Sequence, residues 1–314
     1  MRKHIALLLA FTIALTIALT GCGSDKDHYI GVTTDFSAPE NLSDGEGRAV
    51  KVILLMGQSN ATGVALNSYL EENVGREQYA LYERGFSNVL INFSVDNELN
   101  SSGGEFVSTT VGCGHRDIYF GPELGIAEKL SEAYPDQLFV ILKYTYSGSC
   151  LKTQWLDGWG RGELYDAALK FTSTYMDALI SHNFKPELSA ICWMQGESDS
   201  VGSAADEYYR NQSLLVYYLR RDLEKYAAEG GIYFIDGGIQ EAAIWPKHET
   251  VNRAKERFAK KSPLNMYFST AEAGLTTEGE PEGSPDIAHY DSLSCLKLGH
   301  LFGEHIIRSY QTAD

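Results

Sequence analysis

Nearly continuous apolar runs, separated by stretches of helical periodicity, organise the chain from residue 50 onward. The runs at 50–56, 138–145, 188–194, 231–236 and 266–270 are of strand length, and the first reads Val-Lys-Val-Ile-Leu-Leu-Met. Runs with so few polar interruptions predict strands buried on both faces. Between them, apolar residues recur at helical spacing over about 122–132, 163–182, 204–228 and 249–260, with a last stretch at about 292–309. Strands alternating with helices longer than ten residues predict βαβ crossovers. The expected fold is therefore α/β, a three-layer α/β/α sandwich around a mainly parallel, five-stranded sheet. In such sheets ligands bind beyond the carboxyl ends of the strands, so the residues that follow each run are the ones to inspect.

The first residues follow a different pattern. Arg2 and Lys3 precede an uncharged apolar run from Ile5 to Leu19, which ends in Leu19-Thr20-Gly21-Cys22. A basic start, a short apolar stretch and a small-residue cleavage site read as an export signal. The run is shorter than the roughly 20 residues a helix needs to cross a bilayer. Its Leu-x-Gly-Cys ending resembles the lipobox of bacterial lipoproteins, which implies cleavage before Cys22 and lipidation of that cysteine. The expected organisation is a signal peptide at 1–21, a lipidated Cys22 with a flexible polar tether to 48, and one domain over 49–314. The expected location is an exported, lipid-anchored protein on a bacterial membrane, facing the periplasm or the cell surface.

Charge narrows the choice of partner. Loss of Arg2 and Lys3 would take the formal net charge from −16 to −18. An acidic surface disfavours nucleic acid. With Cys22 assigned to lipid, Cys113, Cys150, Cys192 and Cys295 remain, an even number in an oxidising compartment. Cys192 lies within an apolar run and reads as a buried thiol. Cys113 and Cys150, in loops expected to flank the site, are the pair expected to bridge. No Cys-x-x-Cys or His-Glu-x-x-His spacing occurs, and neither a metal nor another cofactor is expected.

Polar clusters stand after two of the runs and near the C-terminus. Gly57-Gln58-Ser59-Asn60 follows the first run, a glycine-marked turn that places a serine at a strand end before a helix. Taken alone, Ser59 reads as well as a helix cap. Gln195-Gly196-Glu197-Ser198-Asp199 follows the run ending at Met194. Gln195 can donate an amide N–H to a developing oxyanion, while Glu197 and Asp199 can orient neighbours or cap a helix. Ser198 is a rival nucleophile without an obvious partner. In Asp286-Ile287-Ala288-His289 the spacing lets a carboxylate hold Nδ1 of the imidazole while Nε2 faces a nucleophile. Asp291 is close enough in sequence to compete for that role, and His115 and His248 are other loop histidines.

Together these blocks resemble the SGNH hydrolases, in particular the branch of carbohydrate esterase family six and the sialate O-acetylesterases. The resemblance runs from about Lys51 to Ile307 and includes Phe120-Gly121-Pro122-Glu123-Leu124-Gly125 and Ser147-Gly148-Ser149-Cys150-Leu151 with Trp155 downstream. It implies an SGNH, flavodoxin-like arrangement, with Ser59 as nucleophile, His289 as general base then acid, and Asp286 as its orienting carboxylate. The Ser59 N–H, the Gly121 N–H and the Gln195 side chain are implied as oxyanion donors. Gln58, Asn60, Glu197, Ser149 and Trp155 are implied as supporting or substrate-binding residues, with Trp155 and Trp159 able to stack on a sugar. Glutamine at 195, where many SGNH enzymes carry asparagine, fits the branch; the Tyr-Ser-Gly-Ser-Cys turn departs from the more usual small-Gly-Gly-Thr pattern. The activity implied is removal of short acyl groups, above all acetyl, from hydroxyls of acetylated oligo- or polysaccharides or sialosides. A GDSL-type lipase or thioesterase and a non-catalytic glycan-binding lipoprotein are the alternatives.

Overall fold

The computed structural model describes Cys22 and residues 30–39, 42–158 and 160–311. The proposed signal segment and Trp159 lie outside the described residues. Valine, isoleucine and leucine fill the first strand because both of its faces are covered. In β1 (Ala49–Gly57) every residue from Ile53 to Gly57 is buried. Five more parallel strands follow: β2 (Val89–Val95), β3 (Leu138–Thr145), β4 (Lys185–Met194), β5 (Tyr233–Gly237) and β6 (Asn265–Phe268). Their spatial order is β6-β5-β4-β1-β3-β2. Two-residue segments at Asn100–Ser101 and Val107–Ser108 add antiparallel pairing to β2.

The expected sandwich is present, but the parallel sheet has six strands rather than five. The additional strand is β2, which carries Asn92 and Ser94 fully inside. Those polar residues break the apolar run on which the sequence expectation rests. Asn92 Nδ2 donates to the Gly104 carbonyl at 2.7 Å, so its burial fixes the turn beyond the strand.

The helices are α1 (Ser59–Thr62), α2 (Asn67–Val74), α3 (Arg76–Arg84), α4 (Glu123–Ala133), α5 (Glu163–Ser181), α6 (Glu197–Ser200), α7 (Ala204–Asp222), α8 (His248–Ala259) and α9 (Ser292–Gln311). The five long ones lie within three residues of their expected bounds except at the end of α7, where a short 3-10 turn takes over at Glu224–Tyr226. Helix α4 packs on α9, and α7 on α8. The α4–α9 approach depends on glycine: a Cβ on Gly125 would stand 2.2 Å from the Leu296 carbonyl oxygen, and one on Gly299 2.2 Å from that of Pro122. Among the described residues no helix is long and apolar enough to span a membrane.

The chain leaves β1 toward β2 on one side of the sheet and leaves β4 toward β5 on the other. Strands β1 and β4 are neighbours, so their carboxyl ends border the crevice where the winding reverses, the usual place for a ligand.

Two expectations about the N-terminal region are corrected. The segment expected to be a free tether is in part docked on the domain. Phe36 is buried, with edge-on contacts to Tyr144 and Phe171 at 6.1 and 5.2 Å. The backbone N–H groups of Ile30 and Gly31 donate to the Glu163 carboxylate. The expected Cys113–Cys150 bridge is absent: Cys150 pairs with Cys22, and Cys113, Cys192 and Cys295 are free and buried. The two loops serve different sides of the site. The Cys113 carbonyl accepts from Lys143, whereas the Cys150 sulfur faces Asp199. Burial pushes the Cys113 thiol up to about 11.

One sulfur cannot hold both a thioether-linked lipid and a disulfide. Peptide mapping without reductant is therefore expected to find Cys22 joined to Cys150 in chain that carries no lipid, and Cys150 as a free thiol in chain lipidated at Cys22. A Cys113–Cys150 link would contradict the structure.

Candidate active site

Strand β1 ends at Gly57, whose φ of 144° lies in the region that glycine alone enters readily. A Cβ there would stand 2.0 Å from the Met194 carbonyl oxygen, so the side chain's absence lets β1 and β4 converge. The next N–H, that of Gln58, donates to the same oxygen at 2.9 Å. Gln58 is extended and its carbonyl accepts from Ala61 and Thr62, which closes the single turn α1. Ser59 is the first residue inside that turn and is 8% exposed. The cap position belongs to Gln58, which makes no side-chain capping bond, so the reading of Ser59 as a helix cap fails. Among the described residues neither the Ser59 N–H nor its hydroxyl has a hydrogen-bond partner. A free N–H at a helix start is suited to a developing anion.

Asn60 connects the three polar blocks. Its Nδ2 donates to Glu197 Oε1 at 2.8 Å, and its Oδ1 accepts the Tyr290 N–H at 3.2 Å. The residue after Ser59 thus holds the residue after His289. His289 Nδ1 lies 2.7 Å from Asp286 Oδ2, and Asp286 Oδ1 accepts the Ala288 N–H at 2.9 Å. Burial alone would raise the Asp286 carboxyl; the hydrogen bond and charge of His289, with the Ala288 and His289 backbone, bring it below its ordinary value of 3.8. Asp291 is not a competitor. Its carboxylate accepts from the Ser294 N–H and the Thr276 hydroxyl, capping α9.

The block after β4 is buried and acts as support. Gln58 Oε1 faces the Gly196 and Ser198 N–H groups at 3.3 and 3.5 Å. Glu197 is fully buried, its Oε2 lacks a partner, and burial pushes its carboxyl up against the pull of Asn60. Burial likewise raises Asp199 to about 6, although it accepts from Leu151 N–H at 2.8 Å, Lys152 N–H at 3.3 Å and Gln195. Ser198 donates to the Gly148 carbonyl, and among the described residues its hydroxyl has no hydrogen bond to a histidine.

Three implied roles are corrected. Gln195 is fully buried, and its amide hydrogens go to the Ser149 carbonyl at 2.9 Å and to Asp199 Oδ2 at 2.6 Å, so it holds the 147–150 turn instead of awaiting an oxyanion. The Gly121 N–H donates to Glu123 Oε1 at 2.8 Å. Trp155 is fully buried, edge-on to Trp193 at 5.0 Å, and its indole N–H donates to Ser149 Oγ at 2.9 Å. It is a core side chain and no sugar platform; Ser149, also buried, positions it. The Gly148 N–H, by contrast, has no acceptor among the described residues. Its turn is bound to Gly57 through the Tyr146 N–H and to Thr62 through the Ser147 hydroxyl.

Two features have no counterpart in the sequence reading. Lys143 and Glu123 form an ion pair at 2.6 Å with both side chains fully buried, and Lys143 Nζ also donates to the carbonyls of Thr62 and Cys113. This pins the end of α1. The second is a carboxylate–imidazole pair, Asp96 and His115, whose loop is tied to the end of α1 by the His115 N–H on the Gly63 carbonyl. Among the described residues, potential metal-ligating atoms gather within 4.8 Å at Cys22, Cys150 and Asp199. Both sulfurs there are bonded to each other and the carboxylate is occupied by N–H donors.

Similar proteins agree with this frame. In the solved structures, NanS shares the fold with a TM-score of 0.58 at 16% identity, over 87% of this chain and all (100%) of its own. A protein from Arabidopsis thaliana gives 0.56 at 19% identity, over 82% of this chain and 98% of that one. A carbohydrate acetylesterase from Xanthomonas citri gives 0.50 at 15% identity, over 83% of this chain and 56% of that one. No curated protein sequence matches the chain. Residues 49–308 match the family described as carbohydrate esterase, sialic acid-specific acetylesterase, and the chain, with its SGNH-type sandwich, belongs to that family.

Proposed function

We propose that this carbohydrate esterase removes acetyl groups from sugar hydroxyls through an acyl-serine intermediate on Ser59. The observation that carries the reading is the bond from the Tyr290 N–H to Asn60, which fixes the Asp286-oriented His289 beside the serine block. His289 Nε2 takes the Ser59 proton as Oγ attacks the ester carbonyl. Collapse of the tetrahedral intermediate expels the sugar oxygen, which receives that proton from His289, and leaves acetyl-Ser59. Water then attacks the acyl group, its proton passes to His289, and release of acetate returns the proton to Ser59. The Ser59 and Gly148 N–H groups, both without partners among the described residues, are the donors proposed for the oxyanion. The lipobox-like ending at Cys22 supports action outside the cytoplasm, on glycans at a cell surface or in the periplasm.

Incubation with acetylated xylan and with O-acetyl sialosides is expected to release acetate from at least one of them, with Ser59→Ala as the blank. Acetate release that is equal in the variant, or absent from both substrates, would overturn the proposal.

A further inference from the structure

Strand β2 ends in a run of three left-handed residues, none of them glycine: Asp96, Asn97 and Glu98, with φ of 50°, 59° and 63°. Such backbone is unfavourable for residues with side chains, and it concentrates where surrounding contacts enforce it for a purpose. Here those contacts converge on the Asp96 carboxylate. It accepts the Ser147 N–H at 2.5 Å and the Ser147 hydroxyl at 3.0 Å, and Oδ2 lies 2.5 Å from His115 Nδ1. Asp96 is thus to His115 what Asp286 is to His289, a carboxylate that fixes one ring nitrogen and leaves the other free.

The position of this second pair follows from its backbone ties. The His115 N–H donates to the Gly63 carbonyl at 2.8 Å, four residues after Ser59, and Ser147 Oγ reaches Thr62 Oγ1 at 3.4 Å. The 112–119 loop is held beyond α1 by the Gly114 N–H on the Tyr119 carbonyl and by pairing of Leu66 with Tyr119. Ser59 therefore lies on a one-turn helix tied to the His115 loop through Gly63 and to the residue after His289 through Asn60. The His115 side chain is 29% exposed, against 5% for His289. Among the described residues its Nε2 has no hydrogen-bond partner.

We propose that His115, held by Asp96, is a substrate-binding residue that presents Nε2 to a hydroxyl of the sugar carrying the scissile ester. This deepens, and rests on, the esterase reading of Ser59. The chemistry explains the arrangement. An esterase acting on a bare acetyl group needs nothing beyond Ser59, His289 and the oxyanion donors. One acting on a polyhydroxylated leaving group gains selectivity from a fixed polar group a few ångströms farther out. A ring nitrogen whose partner atom is locked by a carboxylate offers a hydrogen bond of fixed direction, and Ser147 on the same carboxylate keeps that direction.

The test compares two substrates in purified His115→Ala, His115→Gln and Asp96→Asn: the acetylated glycan from which the unaltered protein releases acetate, and 4-nitrophenyl acetate, which has no sugar. His115→Ala is expected to lower kcat/KM on the glycan about tenfold to a hundredfold, the range for one directed hydrogen bond, chiefly through KM. Turnover of 4-nitrophenyl acetate should stay within about twofold in the same variant, since the acyl half is unchanged. His115→Gln, whose amide can donate to Asp96 and accept from a sugar hydroxyl, should recover part of the glycan activity, and Asp96→Asn, which also loosens the Ser147 turn beside Gly148, should raise KM for the glycan as His115→Ala does. Equal losses on both substrates in His115→Ala would make the pair a structural support and overturn the inference, as would an unchanged KM for the glycan in that variant. If the unaltered protein cleaves neither substrate, the esterase reading itself has failed, a result distinct from either.

Discussion

Ser59→Ala is expected to lower kcat for hydrolysis of 4-nitrophenyl acetate and acetylated glycans by roughly 10⁴-fold or more while leaving the protein folded. The size follows from the loss of covalent catalysis as a whole, whereas one oxyanion donor is worth on the order of 10²- to 10³-fold. The fold should survive because the Ser59 hydroxyl makes no hydrogen bond among the described residues and α1 is closed by the Gln58 carbonyl. Ser198→Ala is the matching control. Its hydroxyl donates to the Gly148 carbonyl, so its removal loosens the turn without touching the nucleophile, and the loss in kcat should be far smaller. Thermal unfolding of both variants beside the unaltered chain separates chemistry from stability. Full activity in Ser59→Ala, or the larger loss in Ser198→Ala, would transfer the nucleophile's role.

The second large effect belongs to the Asp286–His289 pair. His289→Ala should approach Ser59→Ala in severity, because residues acting as one unit do not lose activity additively. Asp286→Asn should cut kcat by about 10⁴-fold by favouring the wrong imidazole tautomer. Asp291→Asn separates position from charge. It keeps one side-chain carbonyl to accept the Ser294 N–H at the start of α9 and, because asparagine caps a helix about as well as aspartate, should cost less than about 1 kcal/mol of stability with little change in turnover. The sign of the pH effect follows from Asp286, whose folded carboxyl lies below 3.8. A depressed carboxyl contributes stability that is fully present above its unfolded value and is lost as the pH falls through the folded one. The bond to His289 should therefore survive moderate acid, and any loss of turnover well above the ordinary carboxylate range should not come from protonation of Asp286. A wild-type rate in His289→Ala would remove this mechanism.

The parts of the fold legible in the sequence are those where burial is uniform. Strands β1 and β4 are apolar almost throughout because helices cover both faces, and α5 and α9 bury enough residues to show a clear stripe. Strand β2 escapes because the buried polar residues Asn92, which holds the Gly104 carbonyl, and Ser94 interrupt its apolar run. Helices α2 and α3 escape because each buries a single side chain, Leu70 and Tyr82. In the site, the residue types are legible and several roles are not. Nothing in the sequence says that Gly121 spends its N–H on Glu123 two residues on, or that Gln195 spends its amide on Asp199 four residues on. The choice between Asp286 and Asp291 likewise needs geometry, since both lie within three residues of His289. Asp96 and His115 meet only because the unrecognised β2 delivers the one to the other.

The most direct test of the central claim is covalent labelling. A fluorophosphonate requires a serine activated by a neighbouring base, and so reports the machinery without knowledge of the sugar. Treatment of the folded chain followed by peptide mass spectrometry is expected to find a single adduct on the peptide containing Ser59, absent in Ser59→Ala and strongly reduced in His289→Ala. No adduct on folded protein, or an adduct on Ser198 with Ser59 unmodified, would contradict the account.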